Sequence, residues 1–375
     1  MKTIPFEWGL SVSKHVYLLA GTAKGVFMYV SDEARQAWEL RGPYLHGWEA
    51  YSVLGDSRGG NRLLAGTSHA AYGAAIRVSD DYGLTWRQIA DGPRYAPETG
   101  FPLNRIWQLA QGAPSQPDTI YAGAEDAGLF VSHDRGETWR ELDALTKHPT
   151  RPEWFGGAGG MGLHTILIDP ANPNRIWTGT SAVGVFRTDD GGETWKVCNK
   201  GLNRAATGQQ GDSIGYCVHK MALDPEDSNT LYMQEHAGVF LSRDAGDTWQ
   251  PFEEGLDMRS DPFGFPIVVG PNGDLFLVPL ESSEKRSMRD GKLLVWSRRR
   301  DMDRWEPIGD VVPDEQRHVS VLRDAMSVDS LDTYGLYLGT SSGEMFVSLD
   351  RGENWQRLPG QLPRILTVKP WVVEV

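Results

Sequence analysis

The chain has 375 residues, a formal charge of −13, 14 tryptophans, 43 glycines and two cysteines. That charge argues against a nucleic-acid backbone as partner, and no stretch approaches the roughly 18–20 apolar residues of a membrane-crossing helix. Cys198 and Cys217 are too few for a disulfide framework or a cysteine-rich metal site.

The chain opens on MKTIPFEWGLSVSKHVYLLAG, interrupted by Glu7, Lys14 and His15 and without a small-residue cleavage site. It does not read as a secretory leader, and a reducing cytoplasm is the simplest compartment. A strand, HVYLLAGT, leads to SDEARQAW at 31–38. Then come SDDYGLTW (79–86), SHDRGETW (132–139), TDDGGETW (188–195), SRDAGDTW (242–249), the looser SRRRDMDRW (297–305) and SLDRGENW (348–355). The closing tryptophans stand 48, 53, 56, 54, 56 and 50 residues apart, a period that marks repeat architecture.

The fourth repeat shows the unit. HTILID meets the turn PANPN, RIWTGT follows, then a loop with Gly184, then VFRT, the aspartate motif and a last strand from Trp195. Four antiparallel strands repeated seven times predict an all-β fold, a seven-bladed β-propeller, with residues 1–375 as one domain. The first repeat begins at a second strand. The C-terminal RILTVKP (364–370) is therefore predicted to complete the first blade and close the ring, leaving no open edge.

The motif falls where the third strand must reverse into the fourth. Its aspartate can accept hydrogen bonds from turn N–H groups, its glycine supplies an unusual backbone angle, and its tryptophan anchors the next strand. A calcium loop would need more oxygen ligands, so each copy reads as a structural joint.

S-x-D-x-G-x-T-W resembles the Asp-box, or BNR, repeat of sialidases, related glycoside hydrolases and many non-enzymatic propellers. The resemblance covers nearly the whole chain. It implies that the boxes occupy the rim opposite the working face. That face is then built by the segments 90–104, 140–163, 196–216 and 281–291, where function concentrates in ring-shaped folds.

Two positions can be aligned across repeats. Counting back five from the aspartate that ends a first strand gives Tyr51, Ile106, His164, His219, Phe265 and Asp324, with Arg364 from the closing strand. Two past the glycine of each second strand stand Ala23, Ser68, Glu125, Ser181, His236, Glu281 and Ser341. Arg105 and Arg323 precede two slots of the first set, and Lys220 follows another. The loop KHPTRPEWFGGAGGMGLH adds His148, Arg151, Glu153 and Trp154; its glycines are not a phosphate loop, since no Lys-Ser/Thr follows. One mouth is expected to gather these groups; the plainer expectation is a wet channel whose polar residues bind water and one another.

Several chemistries fit. Arg105, Arg323 and Arg364 suit a carboxylate, and the resemblance to sialidases would make Tyr51 with Glu49 a nucleophile pair and Asp324 an acid. The F/Y-R-I-P motif is absent, however, and sialidases have six blades. Larger Asp-box glucanases pair two propellers around a cleft, of which one is present here. PTRPEWFGGAGG, CVHK, GFP, VPLES and LRDAM are similar to stretches of bacterial BNR-repeat proteins described as glycosyl hydrolases or sialidase-like. That similarity implies catalytic positions at His164, His219, Lys220, Glu281 and Asp324. Around them, Tyr51, Arg105, Glu125, His148, Glu153, Trp154, His236, Phe265, Arg323 and Arg364 would bind substrate.

The expected function is thus hydrolysis of a small anionic or carbohydrate ligand at the channel mouth. One alternative is a non-catalytic ligand- or protein-binding scaffold. Another is a hydrolase or lyase using a divalent metal on His164, His219, His236 and Glu281. Replacing His219 or Asp324 by alanine is expected to change stability by no more than about 1–2 kcal/mol, as for residues outside the packed core.

Overall fold

The computed structural model describes residues 14–157, 159–202, 213–257, 263–312 and 316–374. Seven four-stranded antiparallel sheets are arranged as blades. In blade four the strands are Leu163–Ile168, Ile176–Thr180, Gly184–Thr188 and Lys196–Val197. The inner strands contact one another in a closed cycle around the axis. No helix among the described residues is long and apolar enough to cross a membrane.

Ring closure follows the sequence expectation. Ile365–Glu374 pairs along Lys14–Thr22 and supplies the inner strand of blade one. Trp371 fixes the joint: its ring lies 5.2 Å from Tyr17 and its indole N–H donates to Ser57 at 2.8 Å. Burying an aromatic of this size supplies several contacts a short strand alone would lack.

The recurring glycine of the second strands has a packing cause. At Gly21 a Cβ would run into the carbonyl oxygen of Ala50, and at Gly123 into that of Leu163. In these blades the neighbouring inner strand approaches the bare backbone, and a side chain at either glycine would push it away.

The five well-formed corners share one hydrogen-bond pattern. In SHDRGETW, the Ser132 hydroxyl donates to Asp134 at 2.6 Å, the Thr138 N–H donates to the same carboxylate at 2.9 Å, and the Gly136 N–H donates to Ser132 at 2.8 Å. Equivalent bonds form around Asp81, Asp190, Asp244 and Asp350. Two successive residues take left-handed backbone angles: Arg135 at φ 61° and Gly136 at φ 92°. The motif fixes only the second as glycine: a Cβ at Gly136 would come within 2.7 Å of a Leu64 methyl, and one at Gly352 closer still to an Ile308 methyl. Hydrogen bonds from Thr85 to Asp81, and from Thr188 and Thr194 to Asp190, pull both carboxyls down to about 2.

Candidate functional site

Each inner strand enters from the face opposite the corners, and six of the seven carry a register shift near that entrance. It falls between Ala50 and Ser52, Ile106 and Gln108, Leu163 and Thr165, Val218 and Lys220, Gly264 and Ile267, and at the partner of Gly21/Thr22 in the closing strand. A bulge leaves a residue unpaired and re-aims its side chain. By register the equivalent residues are Leu366, Tyr51, Trp107, His164, His219, Phe265 and Asp324.

Two sequence-derived slots therefore move. The slot in blade three belongs to Trp107, not Ile106, which is 1% exposed. The reason is that this first strand ends on Gly112 rather than on an aspartate, as the bond from the Gly112 N–H to Thr119 shows. In the closing strand the slot belongs to Leu366, and Arg364 stands two residues earlier, exposed at the lip. A third shift concerns Glu281. Backbone N–H groups of Ala23, Glu125, Ser181 and His236 donate to Arg364, Arg105, Gly162 and Cys217, and the equivalent bond in blade six comes from Leu280 to Phe263. Glu281 lies one residue beyond and pairs with Lys285.

The ring residues have distinct partners. His164 and His219 are both buried and both reach across to the next blade. His164 Nε2 donates to the Val218 carbonyl at 2.9 Å, and His219 Nδ1 donates to the Gly264 carbonyl at 2.6 Å. Burial, reinforced by Arg323, holds both imidazoles well below their ordinary pKa and hence neutral. These bonds join blade four to five and five to six; the stability cost of removing His219 is accordingly set by a packed blade interface.

Below the ring the channel is plugged by charge. Lys220 Nζ donates to Asp324 at 2.7 Å, to Gln108 at 3.1 Å and to the His164 carbonyl at 3.4 Å. Lys369 Nζ donates to the same Asp324 oxygen at 3.0 Å. Burial alone would raise the Asp324 carboxyl, but the two ammonium groups outweigh it and hold it well below the carboxylate range. Burial brings Lys220 down to about 8 against the pull of Asp324. The plug separates a lower funnel of about 530 Å³, walled by inner-strand residues such as Ile166, Met221 and Val268, from an upper cavity of about 110 Å³. Asp324 is committed to these lysines, so the expectation of a mild Asp324→Ala effect does not survive: removal of the plug's carboxylate leaves two ammonium groups without it.

The upper cavity is lined by Tyr51, Trp107, Arg323, Asp324, Arg364 and two leucines. Arg323 is its central group. Its guanidinium lies 4.9 Å over Phe265 and 6.0 Å from Trp107, touches Ser181 at 3.5 Å, and makes no ion pair among the described residues. Its buried Nε has no hydrogen-bond partner there. Burial lowers its pKa, as expected for a cation held away from water without a counter-ion. Arg105 stacks 4.7 Å over Tyr51, which packs edge-on against Trp107 at 4.7 Å.

A wider groove of about 490 Å³ adjoins this mouth, lined in part by Lys24, Glu49, His69, Arg105 and Glu125. Two carboxylates flank Arg105 there, Glu49 at 3.9 Å and Glu125 at 3.4 Å. Glu125 also accepts from the Trp107 indole at 2.6 Å.

The remaining candidates lie elsewhere. Trp154 is core, donating to Thr150 at 2.9 Å, and His148 packs between Trp154 and Phe186 while bonding Thr150 at 2.8 Å. Glu153 is exposed beside them. His236 belongs with His219, ring to ring at 5.6 Å, and both pack against Phe263. Of the expected metal ligands, His219 and His236 come together with Cys217; neither His164 nor Glu281 joins that group. Trp107, Gln108 and Lys369 were not anticipated. The first two lay hidden behind the one-residue offset in blade three, and Lys369 follows from the same count applied to the closing strand.

No protein-family model matches the chain. Over 208 residues it is 24% identical to the oligoxyloglucan-reducing end-specific xyloglucanase of Emericella nidulans, a stretch covering 51% of this chain and 24% of that enzyme. It thus spans about a quarter of that relative's length. The photosystem II assembly lipoprotein Ycf48 of Synechococcus sp. is 22% identical over 286 residues, covering 76% of this chain and 69% of that protein. A solved structure of YCF48 bound to D1 peptide aligns with a TM-score of 0.50 at 14% identity, covering 83% of this chain and 85% of that one. The chain is a propeller similar in sequence both to a glycoside hydrolase and to an assembly protein, and the structural likeness speaks for the fold alone.

Proposed function

We propose that the propeller binds a carboxylate-bearing ligand at the mouth opposite the corners, with Arg323 as the anchoring group and Arg105 and Arg364 beside it. One observation carries this reading: a guanidinium whose buried Nε has no partner among the described residues faces a cavity whose nearest carboxylate, Asp324, is taken by two lysines. A planar donor set whose one acceptor among the described residues is the Ser181 hydroxyl at 3.5 Å, set on an aromatic shelf, fits an incoming carboxylate. The Ycf48 likeness supports a binding propeller, and the reading extends to a peptide whose terminal carboxylate enters the mouth. The shared bond pattern of the corners supports counting the chain among Asp-box repeat proteins. The two free cysteines are in keeping with a cytoplasmic setting.

Calorimetry with one short peptide in free-acid and amidated forms tests this. The acid is expected to bind, the amide at least about 10-fold more weakly, and Arg323→Met to remove the difference. Equal binding of both forms would refute the reading.

A second reading rests on Glu49 and Glu125. Two carboxyl groups across a groove are the minimum equipment for glycoside hydrolysis, and the xyloglucanase relative supports it. Release of reducing ends from xyloglucan oligosaccharides, abolished by Glu125→Gln, would establish it; no release by the parent chain would dismiss it.

A further inference from the structure

Cys217 immediately precedes Val218–Leu223, and His219 is the bulged residue of that strand, its side chain re-aimed toward the mouth. His236 follows the paired strand Leu231–Glu235, and its N–H donates to the Cys217 carbonyl at 3.0 Å. That bond brings a thiol and two imidazoles to one point. One ligand-capable atom from each lies within 4.8 Å of the other two.

The surroundings favour ligation. The His219 Nδ1–H bond to the Gly264 carbonyl, 2.6 Å long, fixes the tautomer and leaves Nε2 as the nitrogen with a lone pair. A carbonyl accepting from one ring nitrogen holds the imidazole so that the other nitrogen is aimed at a metal. Phe263 packs edge-on against both rings, at 4.8 Å from His219 and 5.1 Å from His236, and Phe265 adds an apolar wall. Zinc bond lengths place tetrahedral sulfur and nitrogen ligands roughly 3.3–3.7 Å apart. The bound of 4.8 Å exceeds this by about 1.1–1.5 Å, within reach of a rotation of the Cys217 or His236 side chain.

We propose that Cys217, His219 and His236 form a binding site for a thiophilic divalent cation of the zinc class, with a fourth position left for water or an anion. The donor set selects the metal: one sulfur and two imidazoles suit zinc or cobalt, whereas calcium and magnesium require oxygen ligands. Binding converts the Cys217 thiol to a thiolate and releases its proton to solvent, so the ligand set contributes one negative charge beside Arg323. The proposal goes beyond the carboxylate reading and does not rest on it.

Cobalt(II) titration of the chelator-treated full chain tests the site. The expected result is one cobalt per chain with a thiolate-to-cobalt charge-transfer band in the near ultraviolet, displaced by zinc. Cys217→Ser is expected to lose the band, and His236→Ala to weaken binding by about 10-fold or more, with unfolding of the metal-free variants unchanged. Arg323→Met, which should abolish carboxylate discrimination, is expected to keep the band. Absence of the band in the parent chain, or cobalt binding unchanged in Cys217→Ser and His236→Ala, would overturn the assignment.

Discussion

The two ends of the propeller are built by opposite rules. At the corners, five equivalent positions carry nearly the same residues and the same three hydrogen bonds. At the mouth, seven equivalent positions carry Leu366, Tyr51, Trp107, His164, His219, Phe265 and Asp324, each with different partners. Repetition at one end reflects a joint that every blade must make. Variation at the other is where a symmetric ring becomes a particular binding surface. Between them lies a plug in which one carboxylate balances two lysines, so the mouth rests on a charged floor rather than on an open channel.

The largest perturbation should strike neither end but the closure both depend on. Deleting residues 365–374 removes the whole inner strand of blade one and is expected to abolish cooperative thermal unfolding. A chain that still melts in one transition would show that the ring tolerates an open edge. Next comes Asp324→Ala, expected to destabilise by about 3–5 kcal/mol in urea titration, because it breaks a buried pair and leaves cations without their counter-charge. Leu or Met at both lysines together with Ala at 324 should recover part of that loss. Gly123→Ala, which drives a methyl into the Leu163 carbonyl, is expected to cost about 1–3 kcal/mol.

Corner substitutions should be milder and alike. Asp134→Ala is expected to cost about 1 kcal/mol, one set of turn hydrogen bonds at the surface. The corner carboxyls also set a pH dependence. Their folded pKa, about 2 at Asp81 and Asp190, lies below the unfolded value of about 3.9. Their stabilisation is therefore complete above pH ~4 and disappears as pH falls through ~2. A urea midpoint that stays level across that window would remove the corners from the account of stability.

How much of this was legible in the sequence divides along the same line. The corners, the blade count and the closing strand could be read because each depends on local chemistry repeated at a fixed period. The mouth could be read only to within one or two residues. Where a repeat lacks the landmark residue the count slips: with Gly112 in place of the aspartate it gives Ile106 for Trp107, in the closing strand it gives Arg364 for Leu366, and in blade six, whose second strand has no glycine, the other count gives Glu281 for Leu280. His164 and His219 were placed at the mouth, yet their partners are backbone carbonyls of the next blade, which no side-chain pattern announces. Arg323 was found because it stood beside a slot; that it lacks a counter-ion among the described residues is a property of packing alone.

Whether Arg323 anchors the ligand is decided by a crystal structure of the chain soaked with the carboxylate peptide that binds it best. The carboxylate is expected in the upper cavity, both oxygens within hydrogen-bonding reach of the Arg323 guanidinium, with Asp324 still held by Lys220 and Lys369. A ligand seated in the lower funnel or on the outer blades, with Arg323 untouched, would contradict that expectation.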